Sequence, residues 1–78
     1  MTTPLLATTL VRAGQVRSFL VRLTRPEGWE AAIYDDLRII QQHLYRDWHH
    51  VEQAIADFTL QIATLHEDGW RDASGPGT

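Results

Sequence analysis

The sequence predicts an α+β fold, a four-stranded antiparallel meander followed by one C-terminal α-helix packed on the sheet, and three observations predict it. Over residues 47–65, Val51, Ile55, Phe58, Ile62 and Leu65 recur at alternating spacings of four and three, which places them on one stripe of a helix. Upstream of that stripe the apolar residues alternate or run β-branched, as strands do. Between those runs stand short turn signals: Gly14-Gln15, Pro26-Glu27-Gly28 and Asp35-Asp36.

Residues 1–7, with Pro4 among them, are expected to be a loose lead-in. A first strand over 8–13 and a second over 16–23 flank Gly14-Gln15, which reads as a two-residue II′ turn with glycine first. That register sets Leu10 opposite Phe19 and Arg12 opposite Arg17; two facing arginines need an anion or carboxylate between them. Phe19, Val21 and Leu23 point one way along the second strand. Residues 29–34 form a third strand and 37–45 a fourth. One sheet face then offers Leu10, Phe19, Val21 and Leu23, the other Val11, Val16, Leu20 and Ile39. One helix covers one face only, so the second is left for a dimer contact, a binding surface or solvent.

Asp47 is a suitable N-cap for the helix, and Gly69 a suitable C′ residue with Trp70 folding back on the last turn. The expected core is Phe19, Val21, Leu23, Trp29 and Ile33 from the sheet, with Val51, Ile55, Phe58, Ile62 and Leu65 from the helix. Ala56, Leu60 and Ala63 lie off that stripe, and small residues around a leucine permit close helix approach. With Val11 and Leu20 they are the candidate dimer interface. The domain therefore spans 8–70, with flexible termini at 1–7 and 71–78.

A chain of 78 residues is one small domain. It buries only about 60% of its unfolded surface, so stability needs a further source. There is no cysteine, which removes disulfides and thiolate metal sites and leaves self-association as the expected support. The start, Met1-Thr2-Thr3-Pro4, lacks the features of a signal peptide, and no apolar run is long enough to span a bilayer. A soluble, cytoplasmic protein is expected.

The net charge of −3 is uneven. Residues 1–46 carry six arginines against four acids, whereas 47–78 carry one arginine against six acids. All cationic side chains are arginine, which suits bidentate contacts to phosphate or carboxylate, though arginine-favouring codon usage explains it too. A four-stranded sheet with exposed arginines and aromatics can stack bases and hold phosphates. The candidates are Arg12, Arg17, Arg22, Arg38 and Arg46, with Tyr34 and Tyr45. The acidic balance and the absence of lysine weigh against that use.

Chemistry finds little purchase. His49 and His50 are adjacent and diverge by about 100° on a helix, and no second histidine-rich segment completes a metal site. No nucleophile elbow or phosphate-binding glycine loop occurs, and a turn explains Asp35-Asp36. No catalytic residue, metal or cofactor is expected.

The order of strands followed by a helix reading Val51-Glu52-Gln53-Ala54-Ile55-Ala56-Asp57-Phe58 and closing at Gly69-Trp70, after a Gly28-Trp29 strand start, resembles WGR domains. That resemblance implies a sheet-plus-helix module and, in DNA-damage-dependent ADP-ribosyltransferases, DNA contact. The family's Trp-Gly-Arg triplet is replaced by Ile33-Tyr34-Asp35-Asp36, so no DNA-contacting residue carries over. The same order is similar in topology to the PUR repeat, a dimeric single-strand binder. The tract Tyr45-Arg46-Asp47-Trp48-His49-His50-Val51-Glu52 resembles that of short bacterial proteins. The expected function is a non-catalytic protein–protein module or accessory subunit, homodimeric, with nucleic-acid binding as the alternative.

Overall fold

A computed structural model describes residues 4–24 and 28–73. The order is β1 (Leu6–Arg12), β2 (Gln15–Leu23), β3 (Trp29–Asp35), β4 (Arg38–Tyr45), α1 (Trp48–Glu67) and β5 (Arg71–Asp72). The strands form one antiparallel sheet in the order β4-β3-β2-β1-β5, with α1 packed on one face. The fold is the expected α+β meander and helix, with a fifth strand added.

The first turn differs from expectation by one residue. Ala13 (φ 50°) and Gly14 (φ 82°) occupy it, both left-handed, as a I′ turn requires. Its twist matches that of the flanking strands, so the hairpin accepts an alanine at positive φ. Arg12 therefore faces Gln15, Leu10 faces Arg17 and Phe19 faces Thr8. The expected Arg12–Arg17 opposition does not occur. Moving the turn by one residue shifts every pair by two, so each side chain keeps its face. The face assignment survives a wrong register.

The second turn is Asp36 (φ 54°) and Leu37 (φ 84°), one residue later than the expected pair, where the first turn fell one residue earlier. Asp36 donates its N–H to the Val16 carbonyl at 2.8 Å and accepts the Val16 N–H on Oδ1 at 3.1 Å, which ties this turn to the start of β2. Beyond it, Tyr34 pairs with Ile39 and Ile33 with Gln41, leaving Ile40 as a bulge. Of the expected loop 26–28, Pro26 and Glu27 lie outside the described residues. Gly28 has φ 134°, and a Cβ there would sit 2.7 Å from the Tyr45 carbonyl oxygen, so only glycine fits.

Asp47 caps α1, its carboxylate accepting the His49 N–H at 3.0 Å. At the other end, Trp70 N–H reaches the Leu65 carbonyl and Gly69 N–H the His66 carbonyl, the Schellman arrangement with Gly69 at φ 99°. This reversal turns Trp70 back into the core. It also delivers Arg71–Asp72 to β1, where they pair with Val11 and Leu10. The tail expected to be flexible from 71 therefore begins as a strand. Ala73 N–H continues it to the Thr9 carbonyl, and His66 Nε2 lies 3.0 Å from Asp72 Oδ1. Residues 74–78 lie outside the described part.

The core sits between α1 and one sheet face: Leu10, Phe19, Val21, Ala31 and Ile33 below, Val51, Ala54 and Phe58 above, and Trp70 at the end. Phe19 and Phe58 meet edge to face at 5.3 Å. Trp29, Ile55, Ile62 and Leu65 pack on this centre half-buried. Leu23, expected in the core, is 50% exposed. The helix starts beside Trp29 at one end of β3 and finishes beside Arg12 at the far end of β1. That diagonal leaves the corner at Leu23 uncovered.

Phe58→Ala should cost about 3–5 kcal/mol, against about 0.5 kcal/mol or less for the outward Leu60→Ala. Urea unfolding of both variants checks this, and equal midpoints would place Phe58 on the wrong side of the helix.

Candidate association surface

Alternation along each strand sorts the side chains. Arg12 and Arg17 share the helix-covered face with Leu10 and Phe19, while Arg22 shares the uncovered face with Ser18 and Leu20. Arg17 is half-buried: its guanidinium carbon lies 5.4 Å from the centre of the Trp70 ring, and Nη2 is 4.0 Å from Asp35. It holds the refolded C-terminus against the sheet. Arg38 pairs in register with Asp35, and Arg46 follows β4 in the connection to the helix. Tyr45 stacks between His43 (5.9 Å) and His50 (6.0 Å) on the helix side, whereas Tyr34 lies on the uncovered face. Of the seven residues expected as a nucleic-acid platform, only Arg22 and Tyr34 belong to the uncovered sheet face.

The expected dimer residues are likewise divided. Val11 and Leu20 lie on the uncovered sheet face, and Ala56, Leu60 and Ala63 on the outer side of α1, with Leu60 68% exposed. The sheet separates the two groups, so they form two surfaces. His50 Nδ1 bonds Asp47 Oδ2 at 2.7 Å while His49 turns away towards Gln53. Among the described residues no three His, Cys, Asp or Glu side chains converge as a metal site would need, and no helix is long and apolar enough to cross a membrane.

The uncovered face is where the unexplained features collect. An open groove of about 580 Å³ crosses it, bounded by Thr9, Val16, Ser18, Leu20, Tyr34 and Leu37. Leu37 stands at its lip 99% exposed, in a left-handed conformation that costs a leucine about 1 kcal/mol or more. Position 37 was expected to open the fourth strand. A leucine in a two-residue turn between Asp36 and Arg38 is the signal that could have marked it.

Among the described residues the same face carries one buried charge. Glu30 is 5% exposed and accepts from Arg22 Nε at 2.8 Å and from the Gln42 amide. The Gln42 bond, then the Arg22 bond and charge, hold its carboxyl below the ordinary carboxylate value against the opposing effect of burial. Arg22 is thereby paired, though its side chain stays half exposed, and the charge that borders the groove among the described residues is the Asp36 carboxylate, which a phosphate would meet as a like charge. The pair Thr9 Oγ1–Ser18 Oγ at 3.1 Å adds polarity without charge. Such a surface suits an apolar protein partner better than a phosphate backbone.

No family model, curated protein or solved structure matches the chain.

Because the Glu30 pKa is depressed in the folded state, its stabilisation is complete above the unfolded carboxyl value and is lost as pH falls through the folded one. Glu30→Gln should cost about 1–3 kcal/mol near neutrality, and the gap to wild type should close in acid. Urea midpoints for both proteins from neutral pH downwards test this; a gap independent of pH would remove the charge from the account.

Proposed function

We propose that this chain is a non-catalytic protein–protein association module, an accessory subunit working as a homodimer, which seats apolar side chains of a partner in the groove of the uncovered sheet face. The observation that carries the reading is Leu37. It combines an unfavourable backbone conformation with full exposure of an apolar side chain, and glycine or asparagine would serve the turn better. Strain of this kind concentrates where a contact uses it. Val16, Leu20 and Tyr34 continue the apolar surface inward from Leu37. The absence of cysteine suits a cytoplasmic setting.

The nucleic-acid alternative has less support. A backbone-binding surface needs several cations on one face, and here Arg12, Arg17 and Arg22 are split between the two faces, with Arg22 held by Glu30.

The immobilised 78-residue chain, exposed to a lysate of the cells that make it, tests the reading with Leu37→Asn and the helix variant Leu60→Asp as comparisons. Leu37→Asn should stabilise the isolated protein by about 1 kcal/mol yet lose a partner that wild type and Leu60→Asp both retain. A partner held equally by all three would overturn the groove as its site. Salt-dependent, saturable binding of labelled DNA or RNA by the same protein would replace the reading altogether.

A further inference from the structure

The two edges of the sheet are unlike. On one side β5 covers β1 at Leu10 and Val11 with only Arg71 and Asp72, a short edge bearing opposite charges, and Ala73 extends the cover to Thr9, which leaves a free stretch of β1 only at Leu6–Thr8. Short, charged edges resist further pairing. On the other side β4 runs for eight residues, and among the described residues nothing pairs with its outer side. Between Ile39 and Tyr45 there is no acid, lysine, arginine or proline. Ile39 and Ile40 are each 51% exposed and Leu44 is 71% exposed. An eight-residue edge charged only at Arg38 where it begins, and apolar at Ile39, Ile40 and Leu44, is a template for another strand.

We propose that β4 pairs antiparallel with β4 of a second copy, about a two-fold axis at Gln42, joining the two sheets into one of ten strands. The occupant follows from the register. Directly opposed residues of an antiparallel pair point to the same face. About Gln42, Ile40 lies opposite Leu44 of the partner subunit on the uncovered side, and Gln41 lies opposite His43 of the partner subunit on the helix side. Gln42 meets its own copy, with a second amide N–H and a carbonyl oxygen that its bond to Glu30 does not use. An axis at Gln41 would set Ile40 against a glutamine, and an axis at His43 would do the same to Leu44. An axis at Ile40 or at Leu44 would match that one residue with its copy and shift the overlap to one end of the strand, so the Gln42 axis alone matches both Ile40 and Leu44.

The bulge at Ile39–Ile40 ends the paired stretch, so Arg38 and Arg46 fall outside it and no like charges are opposed. Each chain has one adhesive edge and one blunted edge, so assembly closes at two copies and does not continue into a fibre. This inference rests on the homodimeric part of the reading above and is independent of what the groove holds.

The chain's lack of cysteine makes the test direct. In Gln42→Cys the two thiols would stand across the axis with Cα atoms about 4.5–5.5 Å apart, within disulfide reach. At positions 41 and 43 the same-residue pairs are diagonal, about 7–8 Å or more apart. Under mild oxidation Gln42→Cys should form covalent dimer at least an order of magnitude faster than Gln41→Cys or the helix control Leu60→Cys. Independently, Leu44→Lys, at a position exposed enough to leave folding intact, should weaken the dimer at least tenfold in sedimentation equilibrium. A wild-type protein that stays monomeric at high micromolar concentration would overturn the homodimer itself. A wild-type dimer that tolerates Leu44→Lys, or cross-links equally well at all three positions, would keep the homodimer and overturn the β4 edge.

Discussion

The structure depends on one contact, the seating of Phe58 against Phe19 at the centre of the single helix–sheet interface. A chain of this size can bury one continuous core and no more. Val51, Ala54 and Phe58 spend the apolar stripe of the helix on one face of the sheet, and no second helix exists among the described residues to cover the other. The second face is thus a direct consequence of the first. Its groove, its paired charge and its exposed edge are what remains when one helix has to stabilise five strands.

Periodicity made the helix legible, because a stripe repeated over five positions has one geometric solution. Its caps were legible for the same kind of reason: Asp47 and Gly69 satisfy backbone groups that any helix leaves open. The faces of the strands were legible too, since side-chain direction depends only on parity. The turns were not. A Gly-Gln pair satisfies the II′ pattern and an Ala-Gly pair the I′ pattern within the same three residues, Ala13-Gly14-Gln15, and only the pairing of whole strands decides between them. The fifth strand was hidden by its two-residue length and by a tail rich in turn formers; what creates it is the reversal at Gly69, which points residue 71 at β1.

The candidate surface was half legible for a related reason. Val11 and Leu20 could be assigned to the uncovered face by alternation. The arginines were misleading as a group, because sequence position carries no statement of which face or which acid each will meet. Glu30 lies between Arg22 and Gln42 only because strands β2, β3 and β4 are neighbours. After Asp35-Asp36, Leu37 stands in sequence as the first residue of a strand, where an apolar side chain is ordinary. In a turn, at positive φ, the same residue becomes the least expected one in the chain.

The two proposed surfaces constrain each other. If the chain dimerised through its uncovered face, the groove beside Leu37 would be consumed by the second copy and could hold nothing else. Pairing through β4 has the opposite effect. A two-fold axis normal to the sheet leaves both helices on one side and both uncovered faces on the other, so the dimer presents two grooves in the same direction. A partner with two apolar segments, or itself a dimer, would then bind with its second contact made intramolecular, and avidity would rise without any new contact within either groove. An edge that joins and a face that stays open are therefore compatible demands on one small sheet, and the bulge at Ile40 lies where the two meet. It ends the edge pairing on one side of that residue and sets Ile39 beside Tyr34 on the other, at the boundary of the groove.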